Sequence, residues 1–181
     1  RRGNMQLVDL FMEHGVQLDD PELDLDKERP LHAAVAGNQH AMVRYLIECG
    51  ADIEAVFGDM YTESSTAGTP LMYACSHNLL EIAALLLELG ADPSHSDSDE
   101  CYGPIESALL TDDIDNAHQK AQQLELVHLL CIDPRVDLGQ DNEHGHTVRE
   151  VLRDHYGDSP NDTEHVAALD AMLSAALEER H

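Results

Sequence analysis

The feature that most constrains this chain is an internal repeat. Pro30 and Pro70 open two segments, forty residues apart, that both close with Gly-Ala-Asp, at residues 50–52 and 90–92. In each copy an Asn follows the Pro by eight residues, and a Gly follows that Asn by twelve. A pattern that recurs in one register indicates stacked structural units, and such stacks typically present a binding surface instead of an enclosed active site.

Each copy is predicted to form two short helices in a hairpin. Proline is tolerated in a first helical turn because its missing N–H would be unpaired there, and Thr69 is placed to cap that end. Asn38 and Asn78 stand where the first helix must stop, and Asn accepts a left-handed backbone better than most residues. Gly50 and Gly90 are predicted to end the second helix.

The motifs Arg29-Pro30-Leu31-His32-Ala33-Ala34 and Gly68-Thr69-Pro70-Leu71, with their Gly-Ala-Asp endings, resemble the ankyrin repeat. The resemblance implies an all-α fold, an ankyrin-repeat solenoid of stacked helix-turn-helix units with finger loops and about four to five repeats. It implies a protein-protein interaction module, and in this family the partner surface is usually the concave side formed by the fingers and the first helices.

We expect one ankyrin-repeat domain over residues 1–181. Residues 3–15 match only a second helix, which predicts that a longer protein supplies the preceding chain. The predicted units are a partial first repeat (1–26), a second (27–67), a third (68–100), a divergent fourth with an insertion (101–140) and a C-terminal capping repeat (141–181).

Departures from the pattern locate what is individual to this protein. The forty-residue step is about seven residues longer than a standard unit, which predicts a long finger within 56–67. A second insertion, at 111–121, is predicted to form an acidic turn and an added helical turn. Met72 and Glu106 replace the family's turn-forming His, which raises the question of local order there.

The final helix, about 163–179, is predicted to be a cap, with His165 on its polar side.

Charge is the second informative property. The chain has 36 acidic and 10 basic residues, for a formal net charge of −26, and no Lys or Arg lies between Arg44 and Lys120. Such a field disfavours nucleic acid and anionic membranes and speeds encounter with a basic partner. An alternative is that the acids only keep the surface solvated or mark a salt-adapted proteome.

Four cysteines without CxxC spacing indicate reduced thiols and an intracellular protein, cytoplasmic or nuclear.

The candidate partner-binding residues fall in two groups. Acids and tyrosines of the fingers would receive a Lys/Arg-rich segment, with cation–π contacts from the tyrosines; they are Asp59, Tyr61, Glu63, Asp97, Asp99, Glu100 and Tyr102. By position in the repeat, the concave first-helix face contributes Arg29, Tyr73, His77 and Ser107. Tyr73 is the leading candidate, although a tyrosine at this position can equally be a packing residue.

The sequence predicts no enzyme, no cofactor and no metal site. It contains no nucleophile elbow, glycine-rich phosphate loop or recognisable carboxylate pair. His144, His146 and His155 fit no specific zinc spacing. We therefore expect a monomer that binds another protein or peptide, although an exposed apolar first helix would permit weak self-association. Two alternatives stay open: an intramolecular regulatory or structural domain, and the substrate-recruiting part of a larger enzyme.

Overall fold

A computed structural model describes residues 2–19, 29–56, 68–95, 103–111, 114, 116–139, 146–157 and 163–179. The elements in these ranges are helical, which confirms the predicted fold class. They are α1 (Arg2–Glu13), α2 (Pro30–Ala36), α3 (His40–Glu48), α4 (Pro70–Ser76), α5 (Leu80–Glu88), α6 (Pro104–Leu109), α7 (Ala117–Cys131), α8 (Val148–Tyr156) and α9 (Thr163–Glu179).

The helices from α2 onward pair as hairpins that stack in two layers. In the first layer α4 packs between α2 and α6, and α6 also packs against α8. In the second layer α7 packs against both α5 and α9. Leu, Val, Ile and Ala side chains fill the space between the layers, with Leu31, Leu71 and Leu126 fully buried. The core is continuous because every unit buries its apolar face against its neighbours.

The turns form as the repeat predicts. Asn38 and Asn78 adopt φ values of 50° and 53°, while Gly50 and Gly90 adopt 93° and 104°. The side chain of Thr69 accepts a hydrogen bond from the backbone N–H of Met72, at 3.3 Å. These predictions are confirmed because each depends on local backbone preferences alone.

The insertion in the fourth unit lengthens the second helix. α7 has 15 residues, whereas α3 and α5 have nine each. A capping box at its start pairs the side chain of Asn116 with the backbone N–H of Gln119, and the side chain of Gln119 with the backbone N–H of Asn116. The added helical turn is therefore confirmed, whereas Asp112, Asp113 and the long finger at 57–67 lie outside the described residues.

Replacement of the family histidine leaves the local helices intact. Met72 is buried against Gly68 at the start of α4, and Glu106 is buried in α6. The Glu106 carboxylate accepts hydrogen bonds from the backbone N–H groups of Gly103 and of its own residue, which tie it to the start of the helix. Local order is kept because a carboxylate can cap a helix in place of an imidazole.

The last predicted helix forms with the predicted bounds, as α9, and its apolar side is buried, with one correction on its polar side. α9 buries Leu169 and Leu173 and partly buries Val166 and Leu177, as expected for the apolar side of the cap. His165, expected on the polar side, is buried with only 8% of its surface exposed. Its ring nitrogen Nε2 lies 2.5 Å from Oε1 of Gln123, and this partner on α7 makes burial of the imidazole tolerable.

α1 carries most of the exposed large apolar side chains of the described residues. Leu7, Leu10 and Phe11 are 49%, 47% and 50% exposed. The predicted exposure of Leu10 and Phe11 is thus present, and self-association through them remains a prediction. Within the described ranges, no helix is both long enough and apolar enough to cross a bilayer.

Candidate partner-binding surface

The first-helix layer places one large aromatic between small side chains. Ala33, Tyr73 and Ser107 each stand three residues after the proline that opens α2, α4 and α6. Because these three helices pack side by side, equivalent positions form a row across the layer. Ala33 is exposed, and Tyr73 and Ser107 are half-buried. The row therefore presents a single aromatic surface with shallow positions on either side.

Tyr73 is held in place by its own helix. Its ring stacks on that of His77, with ring centroids 4.1 Å apart and planes inclined by 13°. Residues four apart lie on one helical face, which accounts for the pairing. Part of the tyrosine side chain also packs against the core, so Tyr73 is a packing residue whose remaining surface is available for contact.

The hydrogen bonds around His77 define which ring nitrogen accepts. Nδ1 lies 3.0 Å from the carbonyl oxygen of Tyr73 and 3.0 Å from the hydroxyl of Ser76. A carbonyl can only accept, so Nδ1 carries the proton in the neutral ring and Nε2 keeps its lone pair. His77 is exposed, and its Nε2 is therefore an acceptor at the surface.

Arg29 and Ser107 also have roles inside the chain. Arg29 is half-buried, and its Nε donates to the carbonyl of Val56 at 3.2 Å, which ties the start of α2 to the segment that follows α3. The carbonyl oxygen of Ser107 lies 3.4 Å from the hydroxyl oxygen of Thr111. Their roles in partner binding remain predictions.

The predicted finger acids and tyrosines lie outside the described residues, so Asp59, Tyr61 and Glu63 have no structural account here. The same holds for the group formed by Asp97, Asp99, Glu100 and Tyr102. The first-helix residues are thus the part of the candidate surface that the structure describes.

Other acids link consecutive units, a role that the sequence analysis did not identify. Asp19 accepts from the backbone N–H of Asp52 at 2.6 Å, and Glu54 accepts from the backbone N–H of Asp92 at 2.8 Å. Hydrogen bonds from Ser94 lower the pKa of Asp92. Asp19 and Glu54 each stand six residues after the last residue of a second helix, Glu13 or Glu48, a periodic signal that could have revealed their structural role.

A cation, Arg135, links the next pair of units. Arg135 forms hydrogen bonds with the Asp133 carboxylate at 2.7 and 3.0 Å and donates through Nη1 to the carbonyl of Ala91 at 2.8 Å. Hydrogen bonding to Asp133 raises the pKa of Arg135. Part of the negative charge of the chain therefore holds neighbouring units together.

Perturbed side chains in the described residues sit in structural positions. Burial raises the pKa of Glu106 and of the Cys75 thiol, and burial lowers the pKa of His32 to about 4. No group of three or more His, Cys, Asp or Glu in these ranges is arranged to hold a metal ion. His146 lies 3.8 Å from the carboxylate of Asp154, whereas His144 falls outside the described ranges.

Comparison with known proteins identifies the repeat. The chain is 31% identical over 99 residues to the palmitoyltransferase Hip14 of Drosophila melanogaster, and 32% identical over 99 residues to the palmitoyltransferase AKR1 of Lachancea kluyveri. It is 38% identical over 74 residues to an ankyrin repeat and LEM domain-containing protein 1 homolog of Caenorhabditis elegans. The matches cover 55%, 54% and 39% of this chain but only 14%, 13% and 10% of those proteins.

The family assignment follows from the repeat, the hairpin stack and these matches together. Ankyrin repeats are non-catalytic units that generally mediate protein–protein interaction. A family model of ankyrin repeats, in three copies, matches residues 1–97, which is more than half of the chain. The chain belongs to the ankyrin repeat family.

Proposed function

We propose that this chain is a protein-interaction module that holds a basic segment of another protein along its first-helix layer, with Tyr73 as the central contact. The observation that carries the proposal is the Tyr73–His77 stack on α4, flanked by small side chains at the equivalent positions of α2 and α6. A rigid aromatic loses little conformational freedom on binding, which makes it a favourable anchor.

The charge of the chain supports a basic partner. The net charge of −26 lowers the energy of an approaching cationic segment and raises its association rate at low salt. An aromatic anchor in an acidic field suits a peptide that carries Lys or Arg next to apolar side chains.

Affinity capture with matched variants tests the proposal. The domain and its Tyr73→Ala variant are immobilised, exposed to cell lysate and washed at low and high salt, and captured proteins are identified by mass spectrometry. We expect a basic protein that is lost from the Tyr73→Ala variant, with Kd raised about 30-fold for the purified pair. Tyr45→Ala is the control, because Tyr45 is also half-buried but lies on α3 in the opposite layer.

Two outcomes would count against the proposal. If the unchanged domain and the Tyr73→Ala variant captured the same proteins in equal amounts, the binding surface would lie outside the first-helix layer. Absence of any partner would favour the alternative in which the repeats pack against another part of a longer protein. Far-UV circular dichroism of both variants establishes that they keep their helices.

A second candidate function is substrate recruitment for a larger enzyme. The observation that favours it is that two of the relatives are palmitoyltransferases and that the match spans about a seventh of their length. In this arrangement the captured partner would be a substrate, and its cysteine acylation, measured by acyl-biotin exchange in cells that express the intact protein, would fall with Tyr73→Ala. Unchanged acylation despite lost capture would exclude recruitment.

A further inference from the structure

A polar cleft of about 440 Å³ lies beside the candidate surface, where the α4–α5 turn faces the start of α7. Its walls include His77, Asn78, Glu81, Thr111, Gln119 and Gln122. The sequence analysis did not identify this cleft, because residues that face each other across it, such as Asn78 and Gln119, are 41 residues apart in the chain.

The insertion builds one wall of the cleft. α7 starts about a turn and a half earlier than the nine-residue helices predict, and these added turns carry Gln119 and Gln122. Nδ2 of Asn78 donates to the carbonyl of Gln119 at 2.9 Å, and the hydroxyl oxygen of Thr111 lies 3.4 Å from the carbonyl oxygen of Cys75. The long-range hydrogen bond from Asn78 joins the two walls.

The chemistry of the walls favours a cation. Glu81, in the first turn of α5, is exposed, and among the described residues that line the cleft it is the one acid and there is no Lys or Arg. His77 offers the Nε2 lone pair, because its Nδ1 proton is committed to the carbonyl of Tyr73. The half-buried amide of Gln122 supplies a further acceptor oxygen.

An arginine side chain matches this set better than a lysine does. The planar guanidinium has five N–H donors in a fixed fork, so it can pair with a carboxylate and still reach an amide oxygen and an imidazole nitrogen. It can also stack on an aromatic face, and the His77 ring that lines the cleft extends the surface begun by Tyr73.

We propose that this cleft is a specificity pocket that receives an arginine side chain of the bound segment, with Glu81 as its carboxylate partner. The inference rests on the proposed function, since it names one residue of the segment that would lie across Tyr73. It adds a contact at the helix-turn edge of the solenoid, next to the first-helix layer.

The probe for the test is Nα-acetyl-arginine methylamide, titrated into the ¹⁵N-labelled chain and followed by NMR. We expect saturable shifts of the side-chain amides of Asn78 and Gln122 with a millimolar Kd. The corresponding citrulline derivative keeps the shape but lacks the charge, and we expect no saturation with it. The lysine derivative should bind more weakly than the arginine derivative.

Two variants of α5 provide the matched comparison. Glu81→Gln removes the carboxylate of the cleft and should raise the Kd of the arginine probe about fivefold. Glu88→Gln makes the same change in net charge on the same helix, but Glu88 lies outside the cleft with Arg44 3.4 Å away, so it should leave the Kd unchanged. Equal effects of the two variants, or equal binding of citrulline, would overturn the inference.

The outcome is separable from that of the proposed function. If a partner is captured in a Tyr73-dependent way but the arginine probe does not bind, the arginine pocket is rejected and the proposed function stands. Binding of the probe in the cleft without any captured partner would reject the interaction module and leave the pocket as a cation site of other purpose.

Discussion

The two regular repeats in the middle of the chain and the two divergent units at its C-terminal end reach the same hairpin stack by different means. In the middle, residues 30–92, helices of seven and nine residues recur, and their contacts are mainly apolar. At the end, residues 103–179, helices range from six to 17 residues. There, buried polar contacts replace part of the repeated packing.

The polar contacts at the end form one connected group. Nε2 of Gln123, a fully buried residue of α7, donates to the carbonyl of Ala108 at 2.8 Å and lies 3.3 Å from the hydroxyl of Tyr156. Its Oε1 is the partner of His165. One side chain thus joins α6, α7, α8 and α9. The comparison teaches that regular repeats are stabilised by many equivalent contacts, whereas these divergent units depend on a few specific ones.

The largest effect is expected from breaking the polar group. Gln123→Ala removes three hydrogen bonds of a fully buried side chain and leaves a cavity, so the free energy of unfolding should fall by about 3 kcal/mol. Urea titration followed by circular dichroism measures it. A loss below about 1 kcal/mol would mean that the divergent units do not depend on this group.

The next largest effect is a dependence of the free energy of unfolding on pH, and it arises from His32 in the second unit. His32 is buried and donates through Nε2 to the carbonyl of Gly68 at 3.1 Å. Burial lowers its pKa from 6.5 to about 4, so the unfolded chain binds a proton in this interval while the folded chain does not. The free energy of unfolding therefore keeps its full value above pH 6.5 and decreases as the pH falls toward 4. Between pH 7 and pH 5 this decrease amounts to about 2 kcal/mol.

The equivalent position of the third unit supplies the control for His32. Met72 fills it without a titrating group, so His32→Met should remove this part of the pH dependence. Urea titrations at pH 7 and 5 on both proteins measure the difference. Identical slopes of stability against pH would assign the effect to other groups.

A smaller effect distinguishes two equivalent turns. Asn38 and Asn78 share the left-handed backbone, but within the described ranges only the side chain of Asn78 joins two units, through its hydrogen bond to the carbonyl of Gln119. Replacement by Gly keeps the backbone conformation, so Asn38→Gly should be nearly neutral and Asn78→Gly should lower stability by about 1 kcal/mol. Equal changes on urea titration would show that the turn alone, and not its tie to α7, requires Asn.

The smallest effect is expected at the ion pair between α8 and α9. Nε and Nη2 of Arg149 donate to the two carboxylate oxygens of Asp170, at 2.8 and 2.9 Å, on side chains that are 38% and 42% exposed. Partial exposure limits such a pair to about 0.5–1 kcal/mol. Arg149→Gln should lower stability by that amount, and by less in 1 M salt, because salt screens the attraction. A loss that salt leaves unchanged would identify packing as the source.

Prediction from the sequence succeeded where the information is local. The Asn and Gly turns, the Thr69 cap and the bounds of α9 each depend on a few neighbouring residues, and the structure confirms them. It was wrong for His165, because helical spacing alone does not show that Gln123, 42 residues earlier, would meet it. The first-helix row was predicted from repeat position, whereas the roles of the finger residues remain predictions.

The sequence by itself determined the repeat unit, the helix ends and the acidic character, because each is set by local conformational preference or by composition. The tertiary structure decided which polar groups became buried partners, how Arg149 came to pair with Asp170, and where the cleft beside α7 opens. The physical reason is that these features depend on the distance and angle between helices far apart in the chain. Packing of the whole solenoid sets that geometry, and no local segment encodes it.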